Sequence, residues 1–436
     1  MGTTIDHSVL NFAMSESSTS NNREMKEFKD YGLSGKSVIC FAGEDWWIHH
    51  PHSKNHILRR LAGQNKVLFV NSITMGLPSM SNADFFFKIR NKLRSYARWL
   101  KRIPDGLYVM TPVSFPVYGN AVGRFINRWL VALQLRLVMS ILGMHKPIVW
   151  VAIPSAADVV ELLGRGLLLY QISDKYDANE DSALSRDIIR GWDQNLKERA
   201  SLVIYSGRKL FEESTVPNRY FLEQAVDFNH FAETATEVAE EVRNIPKPIL
   251  GYFGSMDYVM DVELMEEVAR LRPDWHWLLI GRKSNLVKLA SPNFHYLGSK
   301  PYADLPKYLR QIDVYVLPWQ QKNVFTSYGS AIKVREYLAT GKPVVISPLY
   351  EYLKTPGVRI YRTVQEFIAA VEDALANDTE RDRLARQAVV RDCTWDVRTK
   401  QVAALITKLL TNQTSFDVRA YDVRFKASET FDEGGV

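Results

Sequence analysis

Short runs of almost uninterrupted apolar residues recur along the chain, and stretches of helical spacing separate them. Residues 37–41, 66–70, 107–110, 147–152, 167–170 and 202–205 form a first series. Residues 249–253, 275–280, 294–297, 314–317 and 344–346 form a second. A strand with one wet face alternates apolar and polar residues. Runs this apolar belong inside parallel sheets covered on both faces by helices. Between the series, residues 226–248 are glutamate-rich and close on Pro246 and Pro248, which reads as a link. The pattern predicts two doubly wound α/β domains, residues 36–225 and 249–392, facing a cleft where such sheets hold ligands. A chain of 436 residues is long enough for two cores.

Residues 1–35 are polar, and 15–22 are wholly Ser, Thr, Asn and Glu, which predicts a disordered leader without a signal-peptide core. Residues 393–412 are expected to form a terminal helix packing back towards the N-terminal domain, followed by a loosely ordered tail. Two cysteines, Cys40 and Cys393, cannot make a disulfide framework, and neither has a Cys or His neighbour at metal spacing; a reducing compartment suits them. The nearest approach to a transmembrane span, residues 129–144, is interrupted by Gln134 and Arg136 and reads as a buried helix.

Residues 330–347 combine an amphipathic helix, a stop at Gly341, Pro343, and a buried strand. Lys333 and Glu336 lie three apart, on one face of that helix. A cation and a carboxylate at a helix start beside a parallel sheet suit a diphosphate and a ribose. An ordinary surface ion pair has the same spacing. The Gly254-Ser255 turn ends the first strand of the second series, where backbone amides can approach an anion. Arg282 lies just past the end of the next strand.

The order of these features resembles the nucleotide-sugar-binding half of GT-B glycosyltransferases, which consist of two Rossmann-like domains. The segment Gln224 to Phe231 resembles the "GVD…F" stretch of such enzymes, with Ala225 in place of its glycine. Asp45-Trp46-Trp47 with the histidines that follow, and residues 66–73, are similar to bacterial teichuronic-acid and exopolysaccharide glycosyltransferases. The resemblance extends to family 4 and xanthan glucuronosyltransferase-like enzymes and covers roughly residues 36–410. It implies that Lys333 meets donor phosphates and Glu336 accepts ribose hydroxyls. It places Ser327 and Tyr328 near the diphosphate, and it has Tyr302 framing the base.

Retaining enzymes of this kind carry two glutamates with seven residues between them, and counting back from Glu336 the first falls at Tyr328. Inversion is therefore expected, with a general base in the N-terminal domain. Asp174, closing an apolar run, is the candidate, with Asp177 and Asp45 as alternatives; an Asp capping the next helix would look the same. His49, His50, His52 and His56 lie in or beside one loop without a metal-binding pattern, so no metal or other cofactor is expected. Trp46, Trp47, His49 and His52 are candidate acceptor contacts.

Residues 85–103 contain no acid and repeat apolar residues at helical spacing, which reads as a basic helix on an anionic membrane surface. Phe86, Lys92, Arg94, Arg98, Trp99 and Lys101 would make that contact. A helix packed on its own sheet under a solvated basic face would look the same, and a nucleic-acid patch is disfavoured. Taken together, these readings predict a cytoplasmic glycosyltransferase, peripheral on the inner face of the membrane. It would move a sugar from a UDP-sugar to a lipid-linked saccharide for extracellular polysaccharide. A nucleotide-sugar epimerase of the same fold and a non-catalytic scaffold are the alternatives.

Overall fold

The computed structural model describes residues 29–48, 51–73, 85–115, 118, 120–176, 185–232 and 237–411. The first sheet comprises β1 (Ser37–Phe41), β2 (Lys66–Val70), β3 (Leu100–Arg102), β4 (Tyr108–Met110), β5 (Ile148–Val151), β6 (Leu167–Ile172), β7 (Leu202–Tyr205) and β8 (Arg219–Phe221). The second comprises β9 (Ile249–Phe253), β10 (His276–Ile280), β11 (Phe294–Tyr296), β12 (Val314–Leu317), β13 (Val344–Ile346) and β14 (Val358–Ile360). The spatial orders are β3-β4-β2-β1-β5-β6-β7-β8 and β11-β10-β9-β12-β13-β14. Every pairing is parallel except β3 with β4. The short strands β3, β8 and β14 have no apolar run in the sequence to announce them.

The apolar runs follow from burial on both faces. In β1, Ile39 and Phe41 enter one core, while Val38 and Cys40 enter the core on the other side of the sheet. Trp150 and Val149 divide in the same way in β5. In each sheet the chain builds outward from its first strand and then returns to that strand's other side. This creates switch points between β1 and β5 and between β9 and β12. At such points loops splay apart beyond the carboxyl ends of the strands and leave a crevice.

The helix Trp395–Leu410 buries Trp395, Val402, Ala403 and Ile406 in a core of the first sheet, so the last helix covers the first domain. A buried ion cluster joins the parts. Arg335, on the helix Ile332–Thr340, lies 2.7 Å from Glu223, just past β8, and 3.6 Å from Glu351. Arg398 of the last helix also meets Glu223, at 2.8 Å, and Glu351 accepts the backbone N–H of Arg208. Burial alone would lift the Glu223 carboxyl, but Arg335 and Arg398 outweigh it and hold it below its usual range.

Two helical readings need correction. The basic segment is a helix only over Phe85–Tyr96; it then turns into β3. Backbone pairing of residues 100–102 with 108–110 overrides the helical spacing of the side chains. Residues 129–144 are not a buried helix but part of the helix Ala121–Leu142, which buries one face and exposes the other.

Arg335→Met would leave Glu351 without its cation and halve the pairing of Glu223. It should lower unfolding stability by about 3 kcal/mol, because an uncompensated buried charge costs more than the pair contributed. Urea unfolding measures this, and a change below about 1 kcal/mol would show that the cluster does not hold the domains.

Candidate active site

In the second domain the site is built around a close approach of backbone. Gly254, at the end of β9, has φ +129°, and Gly281, at the end of β10, has φ +138°. A Cβ on Gly281 would fall 2.0 Å from the Gly254 carbonyl oxygen, and one on Gly254 would fall 2.6 Å from Lys333 Nζ. Only glycine lets the two strand ends meet and lets Lys333 lie across them. Lys333 donates to Tyr252 Oη at 2.9 Å and stands over the rings of Tyr252 and Trp319 at 4.7 and 5.1 Å. Tyr252 in turn donates to the Ser255 carbonyl.

Lys333 sits in the first turn of the helix Ile332–Thr340, which has no side-chain cap, so its leading N–H groups face the same space. The helix ends at Gly341, φ +80°, as its sequence requires. Glu336, one turn on, makes no hydrogen bond to another described residue. Burial pushes its carboxyl up to about 8, with Lys333 opposing and Asp227 adding to the rise. Arg282 and Ser255 are exposed past β10 and β9, and the Arg282 guanidinium makes no hydrogen bond among the described residues. Lys333, Arg282 and the helix start can together receive a diphosphate, with Glu336 placed for a sugar hydroxyl.

The other predicted donor contacts are engaged elsewhere. Tyr302 donates to Asp227 at 3.2 Å and stacks on His230 at 4.6 Å. The Ser327 hydroxyl donates to the Val324 carbonyl. Tyr328 crosses to the first domain: its hydroxyl donates to Glu213 at 2.8 Å, and Lys175 and Lys209 lie over its ring at 4.4 and 4.2 Å. Tyr328 thus links the two domains.

In the first domain Asp174 follows β6 at the carboxyl edge of the sheet and hydrogen-bonds no described residue. Burial raises its pKa; Lys54 opposes the rise and Glu44 adds to it. Glu44, the residue after Gly43 in the turn that follows β1, pairs with Lys54 at 3.0 Å. The helix Ser53–Leu61 therefore ties the two halves together. Lys54 adjoins Glu44 and Asp174, while His56 lies 3.4 Å from Asp227, the residue whose charge acts on Glu336. Burial drops the His56 imidazole to about 4, so it is neutral, and it stacks on Trp395 at 4.7 Å. Sequence reasoning missed Glu44, Lys54 and Tyr252. The only available signal was that Glu44 follows the glycine turn after the first strand, a switch-point position.

Asp45 is buried and accepts the backbone N–H of Trp47, which makes it a turn residue. Trp46 packs on Phe69 at 4.8 Å under Arg59, and Trp47 lies beneath Arg98 and Lys101 at 4.7 and 5.7 Å. Cations thus cover the indole faces that the sequence suggests for sugar stacking. His52 is half exposed, 3.7 Å from Glu44, on the same side as Asp174's partners. His49, His50 and Asp177 lie outside the described residues, as does the side chain of Phe86. Lys92 donates to the Ser72 carbonyl at 2.7 Å, and Trp99 reaches Gln134, while Arg94 is exposed.

Residues 247–377 match the family model for glycosyl transferases group 1, so the second domain is a group 1 glycosyltransferase domain. Together with the two facing sheets this makes the chain a glycosyltransferase of the GT-B fold. Over 283 residues it is 25% identical to the putative teichuronic acid biosynthesis glycosyltransferase TuaH of Bacillus subtilis (strain 168), covering 58% of this chain and 70% of that one. Among solved structures, sucrose-phosphate synthase from Thermosynechococcus elongatus superposes with a TM-score of 0.63 at 13% identity, over 86% of this chain and 99% of that one. Anabaena HepE, solved with UDP-glucose, superposes with a TM-score of 0.58 at 13% identity, over 85% of this chain and 99% of that one.

Glu336 titrates near 8 in the folded protein and near 4.5 in an unfolded chain. Between those values the native state holds a proton that the unfolded state releases, so this group lowers stability as pH rises through the window. Glu336→Gln should therefore gain thermal stability over the parent progressively from about pH 5 to about pH 8.5. A pH-independent difference in melting temperature would mean that the carboxyl is not raised.

Proposed function

We propose that this glycosyltransferase moves a sugar from a UDP-sugar to a lipid-linked saccharide acceptor in extracellular polysaccharide synthesis, with inversion at the anomeric carbon. The seating of Lys333 Nζ over Gly254 at the start of a helix carries this reading, because it concentrates positive charge where a departing diphosphate needs it. TuaH supports the polysaccharide assignment and HepE the UDP-sugar, each as a similar protein only.

The second domain binds the donor: Glu336 accepts hydrogen bonds from the ribose, and Lys333, Arg282 and the helix N–H groups take up phosphate charge. Asp174 removes the acceptor hydroxyl proton. The oxygen then bonds to the anomeric carbon as the bond to the diphosphate breaks, and the nucleoside diphosphate leaves with its charge neutralised by Lys333 and Arg282. Burial suits Asp174 to the task, since a carboxylate with a raised pKa holds a transferred proton more firmly. Tyr328 supports inversion, because no carboxylate at that position is available to the donor sugar's other face. A lipid-held acceptor places the enzyme on the cytoplasmic face of the membrane. No metal is invoked.

Asp174→Asn should lower kcat by about 10²–10⁴-fold and remove the acidic limb of the pH–rate profile, with UDP affinity unchanged. Normal turnover by a folded Asp174→Asn protein would exclude it as the base. Lys333→Met should weaken UDP binding in calorimetry by roughly ten- to a hundred-fold, the worth of a charge-assisted contact. Unaltered UDP affinity would remove Lys333 from the donor site.

A further inference from the structure

The helix Ala121–Leu142 buries Val131, Leu135 and Val138 against the first sheet. Its outward face is the reverse of what a solvated helix shows. Val122, Ile126, Trp129, Leu133 and Leu137 form one exposed apolar stripe along it, with Val122 and Leu133 each 69% exposed. Phe125 flanks the stripe against Trp129, with ring centroids 6.5 Å apart. Phe115, also exposed, is fastened beside it by two hydrogen bonds to the Asn127 side chain, each 2.7 Å. A surface helix ordinarily turns charge to water on this face. This helix has no acid at all, and its charges are Arg124, Arg128 and Arg136.

The surrounding chain has the same sign. Residues 85–142 hold ten Lys and Arg against a single acid, Asp105, for a net +9 in a chain whose total is +6. Trp99, in the basic segment, reaches Gln134 on this helix at 3.4 Å, so the two segments are neighbours.

We infer that the exposed face of Ala121–Leu142 is the surface by which the protein lies on an anionic lipid membrane, with Phe125, Trp129 and Leu133 entering the acyl boundary. The helix is long and apolar enough to cross a membrane by length and composition, but its opposite face belongs to the domain core, so it can only lie in the interface. Apolar and aromatic side chains supply area there, and the surrounding cations meet anionic headgroups. A second copy of the chain is a poorer occupant. A two-fold contact sets each patch against its own image and would oppose two strongly positive segments. The inference also moves the membrane face from the basic segment, where Lys92, Arg98 and Lys101 turn towards the protein's own carbonyl and indole groups. The proposed lipid-linked acceptor gives this face a purpose. Vesicle binding needs neither donor nor acceptor, so it can stand or fall apart from the transfer reaction.

The test is flotation of the full chain with vesicles of neutral lipid or of neutral lipid with about one third anionic lipid. The parent should float with the anionic vesicles and at least tenfold less with neutral ones. Phe125→Glu with Leu133→Glu should reduce flotation at least tenfold. These positions are exposed, so the melting temperature and UDP binding should remain at parental values. Should the double variant misfold, Leu137→Glu alone repeats the test at another exposed position of the stripe. The inference is overturned if the parent does not float, or if the folded variants float undiminished. It is also overturned if light scattering shows a dimer that they dissolve, since a second copy would then cover the face.

Discussion

The buried contact of Arg335 with Glu223 and Glu351 is the interaction on which the arrangement of the site depends. The helix that carries Arg335 also carries Lys333 and Glu336, so anchoring one of its faces to the first domain aims the other at the cleft. Arg398 brings the last helix into the same cluster, and Tyr328 adds a second tie a few residues upstream. Such a cluster offers little net stability compared with apolar packing. Its value is orientation, since an ion pair with fixed hydrogen-bond geometry has one good arrangement where an apolar surface has several.

Within that frame the two halves of the cleft have contrasting chemistry. On the proposed donor side Lys333 and a helix start without a side-chain cap adjoin a backbone approach that only Gly254 and Gly281 permit. On the proposed acceptor side Glu44 and Asp174 share the field of Lys54, and burial lifts the Asp174 carboxyl. A group that must take a proton and a group that must neutralise a leaving anion need opposite surroundings. The proposed assignment puts each on its own domain, which supplies both without mutual cancellation.

Much of the fold was legible, because burial on both faces of a parallel strand forces continuous apolar runs. Both sheets, the glycine turns and the Gly341 stop follow from that rule and from glycine's access to positive φ. Lys333, Glu336 and Gly254 were legible for a related reason: the strand and helix order alone sets them at one edge. Lys54, Glu44 and Tyr252 were not, since their roles come from neighbours distant in sequence. Trp46 and Trp47 looked like open sugar platforms until Arg59 and Arg98 were seen over them. The helical spacing in 85–103 was genuine, yet pairing of β3 with β4 overrode its last turns.

By itself the sequence determined the two parallel sheets, their glycine-bearing edges and the spacing of Lys333 and Glu336 on one helix, because local spacing and backbone sterics suffice for these. The tertiary structure alone decided which face of each element meets water. It left an apolar stripe uncovered on Ala121–Leu142, turned Tyr328 into a bridge between domains and gathered the charges around Asp174. Burial and electrostatic environment are properties of the assembled surfaces, and no single segment contains them.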